Sequence, residues 1–71
     1  MTDEKYLQVL GAKVLELRMK KGWTQTELAD KIGTKHPQVR RVEKGQANST
    51  INMLRKIAKA LDVSISELVE T

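Results

Sequence analysis

The chain contains no cysteine, so no disulfide can staple it and no thiolate can hold a metal; an intracellular compartment is the default expectation. Phenylalanine is absent as well, and there is one Trp and one Tyr, so the core has to be aliphatic. No apolar run approaches the roughly 20 residues of a membrane span. The opening MTDEKYLQV is acidic and charged, unlike a secretory signal. A single histidine, with no carboxylate pair at a catalytic spacing, offers no constellation for an enzyme. A structural zinc site would need more ligands than the sequence supplies. No cofactor, metal, small-molecule ligand or membrane partner is therefore expected. At 71 residues the chain makes one domain, near the lower limit at which a core holds without staples.

What is abundant is positive charge, and it is unevenly spread. Residues 18–59 hold eleven Lys/Arg against Glu27, Asp30 and Glu43, a net of +8. Residues 1–17 carry a net of −1 and residues 60–71 a net of −3. A basic centre between acidic ends suits one face turned to a polyanion, although an ordinary solvated helical surface would give a similar scatter.

The basic centre is organised around residues 24–45, TQTELADKIGTKHPQVRRVEKG. Leu28, Ala29 and Ile32 form one helical stripe, and Val39 and Val42 form another. Gly33 lies between them, where a sharp turn between helices needs a residue free to take positive φ. Ala29 leaves room for a close crossing, as a helix-turn-helix requires. The remaining positions of the second helix are polar or cationic, including Lys35, His36, Gln38, Arg40, Arg41 and Lys44. Nucleic acid is the first partner this surface suggests.

In chain order, Thr2 or Asp3 can cap a first helix over about residues 4–21, with Leu7, Leu10, Val14 and Leu17 as its apolar stripe. Gly11 within it costs about 1 kcal/mol relative to Ala, so it points to a close helix contact. Gly22 reads as the residue just past the end. Trp23 is expected to pack at the helix junction, as a hydrophobic staple with Leu28; stacking on a base is its other use. Thr24-x-x-Glu27 is a capping box opening a second helix over about residues 25–32. Pro37, lacking an N–H and disfavouring helical geometry at His36, should be the first residue of the third helix, which Gly45 closes. Ser49 or Thr50 caps a fourth helix with Ile51, Leu54, Ile57, Ala58 and Leu61. Ser64-x-x-Glu67 is a second capping box, opening a short fifth helix that carries Ile65, Leu68 and Val69. The expected core is Leu10, Val14, Leu17, Leu28, Ala29, Ile32, Val39, Val42, Leu54, Ile57 and Leu61.

With these blocks in place, the chain resembles the phage-repressor and Cro type of helix-turn-helix proteins, the XRE family. The resemblance runs from about Leu10 to Leu68 and rests on LRMKKGWTQTELADKIG, VRRVEKG and TINMLRKIAKALDVSISEL. It implies an all-α, five-helix bundle with its third helix in a DNA major groove. It also implies roles for particular positions. Gln25 matches a residue that clamps a DNA phosphate, and a helix N-terminus suits that task. His36, Pro37, Gln38 and Arg41 occupy positions that reach base edges. Lys35, Arg40, Lys44 and Gln46 lie where phosphate contacts are expected. Arg18 and Glu43 match a pair that joins the first helix to the third in relatives. Two departures stand out: Lys35 replaces the Ser or Thr that commonly caps the recognition helix, and Pro37 takes a position often used to read a base.

The expected function is a sequence-specific, double-stranded DNA-binding regulator of bacterial or phage cytoplasm. It would act as a homodimer on a pseudo-palindromic operator, like a Cro-like repressor or a restriction–modification controller. The apolar surplus of Ile65, Leu68 and Val69 at the acidic end is the expected dimer interface, with capping of the monomer's own core as the alternative. A second class remains open: a protein-binding module of the same fold, such as an antitoxin or a transcriptional bridging factor.

Overall fold

Each apolar stripe becomes the inward face of a helix. The computed structural model of the protein describes residues 3–47 and 50–69, apart from the side chains of Asp3 and Val69. Among these residues lie five α-helices: α1 (Asp3–Lys20), α2 (Gln25–Ile32), α3 (His36–Glu43), α4 (Ile51–Leu61) and α5 (Ile65–Val69). The third helix packs on α1 and α2, the fourth on α2 and α5, and the fifth also reaches α1. The alternative caps Thr2 and Ser49 lie outside the described residues.

Local chemistry sets the boundaries. The Thr24 hydroxyl accepts from the Glu27 N–H at 3.1 Å, and the Thr24 N–H donates back to Glu27 Oε1 at 3.0 Å, completing the capping box that starts α2. Gly33 then turns at φ 72°, ψ 32°, and the Thr34 N–H closes the turn on the Ala29 carbonyl at 2.9 Å. Thr50 caps α4 by accepting from Met53 N–H at 3.2 Å. Ser64 and Glu67 form the second capping box around α5, with Glu67 N–H to Ser64 Oγ at 3.1 Å.

The third helix begins one residue earlier than expected. Lys35 is the N-cap, with extended backbone and no side-chain cap bond, and His36 is already helical. Pro37 therefore stands second in the helix, where its missing N–H still costs nothing because first-turn donors have no intrahelical partner. The Gln38 N–H closes the first turn on the Lys35 carbonyl at 3.0 Å.

The core comprises Leu10, Val14, Leu28, Ala29, Ile32, Val39, Val42, Leu54, Ile57, Ala58, Leu61 and Leu68. Leu17 is a correction: it is half-buried at the core's edge, where Trp23 also packs. Trp23 is half-buried against the core, and its ring carries Lys31 Nζ 4.5 Å from its centroid. Leu68 is the second correction. Its side chain is 1% exposed, because α5 lies on α1 and α4 and turns this residue into the chain's own core. Ile65 is half-buried against the same cluster, and the side chain of Val69 lies outside the described residues. Leu68 and, in part, Ile65 are thus taken up by the chain's own core.

Candidate nucleic-acid interface

The α3 helix divides into two faces. Val39 and Val42 are buried, while His36, Pro37, Gln38, Arg40 and Arg41 are exposed. Lys35 precedes them and Lys44 and Gln46 follow, all exposed. The buried valines hold the helix on α1 and α2. The exposed face gathers Lys35, Arg40, Arg41 and Lys44, none of which has an ion-pair partner among the described residues. Four unneutralised cations on one small surface suit binding to a polyanion.

A polar chain behind α3 fixes its position. Arg18 Nε and Nη2 donate to the two carboxylate oxygens of Glu43 at 2.6 and 3.1 Å, a bidentate pair linking α1 to the end of α3. Their side chains are 11% and 3% exposed, so water competes little for the contact. Arg18 Nη1 also donates to the Trp23 carbonyl at 2.6 Å, which ties in the turn before α2. Gln25 Nε2 donates to Glu43 Oε1 at 2.9 Å, and Gln25 Oε1 lies 2.7 Å from His36 Nε2. The chain Arg18–Glu43–Gln25–His36 thus crosses three helices and ends at the first residue of α3.

This arrangement refines the reading of Gln25. One amide hydrogen is engaged by Glu43, so the second amide N–H and the backbone N–H at the start of α2 are what it can offer a phosphate. The Arg18–Glu43 pair implied by the family resemblance is present. The Gln25–Glu43 and Gln25–His36 bonds escaped the sequence reading. Their members stand 18 and 11 residues apart, and no local pattern signals a contact that only the helix crossing creates.

Close packing of α1 against α3 completes the platform. A β-carbon on Gly11 would meet the Val42 carbonyl oxygen at 2.3 Å and that of Glu43 at 2.7 Å. The close contact suggested by a glycine inside α1 is real, and it brings Arg18 and Glu43 within reach.

A helix-turn-helix family model matches residues 14–68. The transcriptional regulator SinR of Bacillus subtilis is 32% identical over 63 residues, covering 87% of this chain and 57% of that protein. The antitoxin HipB of Escherichia coli is 38% identical over 50 residues, 70% of this chain and 57% of that protein. This chain therefore spans little more than half the length of either relative. Among solved structures, the restriction–modification controller protein C.AhdI of Aeromonas hydrophila superposes with a TM-score of 0.85 at 39% identity, over 87% of this chain and 94% of that one. On these grounds the chain belongs to the helix-turn-helix family, a family of DNA-binding transcriptional regulators and not of enzymes.

Proposed function

We propose that this chain is a sequence-specific, double-stranded DNA-binding transcriptional regulator that inserts α3 into the major groove. The observation that carries the reading is the exposed face of α3, with Lys35, Arg40, Arg41 and Lys44 free of ion pairs among the described residues. His36, Gln38 and Arg41 read base edges, and Pro37 packs on a thymine methyl. Gln25, Lys35, Arg40, Lys44 and Gln46 hold phosphates. The protein works where that DNA is, in the cytoplasm.

The regulator acts as a homodimer on a pseudo-palindromic operator. Each chain carries one such helix, α3, so two half-sites one helical turn apart, about 34 Å from centre to centre, need two protomers. The half-buried Val63 and Ile65 remain at the α4–α5 end to contribute to their junction, without Leu68.

Fluorescence anisotropy with duplex DNA tests the reading. Binding should weaken steeply with salt, and a randomised pool should yield a palindromic motif. A module that binds protein alone, the second class left open by the sequence, would select no motif. Sedimentation of the complex should show two protomers per operator.

A further inference from the structure

The polar chain that ends at His36 has a direction, and that direction decides what His36 can read. A carboxylate only accepts, so the group of Gln25 that faces Glu43 at 2.9 Å must be its amide nitrogen. The Gln25 carbonyl oxygen is thereby turned to His36 Nε2 at 2.7 Å. A carbonyl oxygen cannot donate, so Nε2 has to carry the hydrogen. In the neutral ring, Nδ1 is then a bare acceptor. Nδ1 lies on the other flank of the ring, has no partner among the described residues, and belongs to an exposed side chain at the start of α3.

We infer that the Arg18–Glu43–Gln25 chain locks His36 as the Nε2–H tautomer, so that its Nδ1 accepts a hydrogen bond from an exocyclic amine, adenine N6 or cytosine N4, on the major-groove edge of a base. This rests on the reading of α3 as the DNA-facing helix. A histidine free to choose its tautomer could face an acceptor such as guanine O6 or N7 equally well. The locked ring excludes those while it is neutral. Gln25 is a positioning residue here, acting through the proton on His36.

The single histidine makes the tautomer directly visible. Long-range proton–nitrogen correlation spectra of the DNA-free protein at pH 8 should show one Nε2–H ring. Gln25→Ala should raise the Nδ1–H form severalfold. Gln25→Lys, which puts a donor opposite Nε2, should make Nδ1–H the main form. A wild-type ring dominated by Nδ1–H, or a ratio unmoved in both variants, overturns the lock.

A randomised-site selection at the same pH then reads the consequence. Wild type should prefer adenine or cytosine on one strand at one symmetric position, by about three- to tenfold for a single hydrogen bond. His36→Ala should flatten that position alone, and Gln25→Lys should abolish the preference there, admitting guanine and thymine and disfavouring cytosine. An unchanged motif in His36→Ala overturns the base contact. If wild type selects no motif at all, the operator reading falls and the base preference falls with it. The spectra still decide the lock in that case.

Discussion

Gly11 of α1 lies directly against the Val42 carbonyl of α3, close enough that a β-carbon there would sit 2.3 Å from the oxygen. Since the obstacle is backbone, it cannot swing aside as a side chain would. The absence of a side chain at this position is what lets α1 and α3 approach this closely.

Gly11→Ala should therefore lower stability, although alanine is the better helix former by about 1 kcal/mol. Overpacking of this kind costs about 1–3 kcal/mol or more, and each lost kcal/mol lowers the melting temperature by about 4–8 °C in a domain of this size. Thermal denaturation followed by circular dichroism measures it. A variant that melts higher than wild type would mean the two helices can part without penalty.

Glu43→Ala removes the centre of the polar chain and leaves Arg18 with only the Trp23 carbonyl. Breaking a buried pair from one side costs about 3–5 kcal/mol, and the 11% exposure of the Arg18 side chain puts this case toward the lower figure. Urea denaturation should show an earlier midpoint with an unchanged slope. DNA affinity should fall as well at a temperature where the variant is still folded, since α3 loses its tether to α1.

Leu68→Ala should destabilise the protomer by about 2–5 kcal/mol, because it opens a cavity in the core rather than trimming a surface. Helix content should be lost at a lower temperature even at dilute protein concentration. If the variant melts like wild type and changes only its sedimentation, Leu68 belongs to an interface after all.

Asp62 ends α4 at φ 65°, ψ 37°, and it is the one non-glycine residue with positive φ among those described. Its ion pair with Lys21 spans 3.9 Å with the Asp62 side chain 87% exposed, which is worth little. Asp62→Gly should raise stability by up to about 1 kcal/mol through relief of the left-handed backbone. Asp62→Val should lower it. A comparison of the two melting curves checks both signs.

Much of this architecture was legible in the residues themselves. Thr24 with Glu27, Ser64 with Glu67, and Gly33 between two apolar stripes announce their roles locally, because caps and turns are governed by chemistry within a few residues. The inward faces of α2, α3 and α4 follow from helical period in the same way. The α5 helix was harder to read. Five residues carrying three apolar side chains look alike whether they cap a core or seed a dimer, and only the position of α5 on α1 and α4 decides for Leu68. The start of α3 moved by one residue because Pro37 disfavours a helical neighbour without forbidding it. The Gln25–His36 contact was invisible for a different reason: it depends on the crossing of α2 and α3, to which no spacing rule applies.

The most direct test of α3 as a reader of DNA contrasts Arg41 with Lys44. Arg41 is exposed one turn in from Pro37, where a guanidinium can give guanine O6 and N7 two parallel hydrogen bonds worth about 1–3 kcal/mol of discrimination. Lys44 is the C-cap of α3, where the proposed docking puts the groove wall of phosphates. In a randomised-site selection, Arg41→Ala should lose its preference at one symmetric base-pair position and keep the rest of the motif. Lys44→Ala should keep the whole motif, weaken all sequences alike and reduce the salt slope by about 1 per protomer. An Arg41→Ala protein that selects the wild-type motif, and differs only in salt dependence, would contradict the assignment of Arg41 as a base reader.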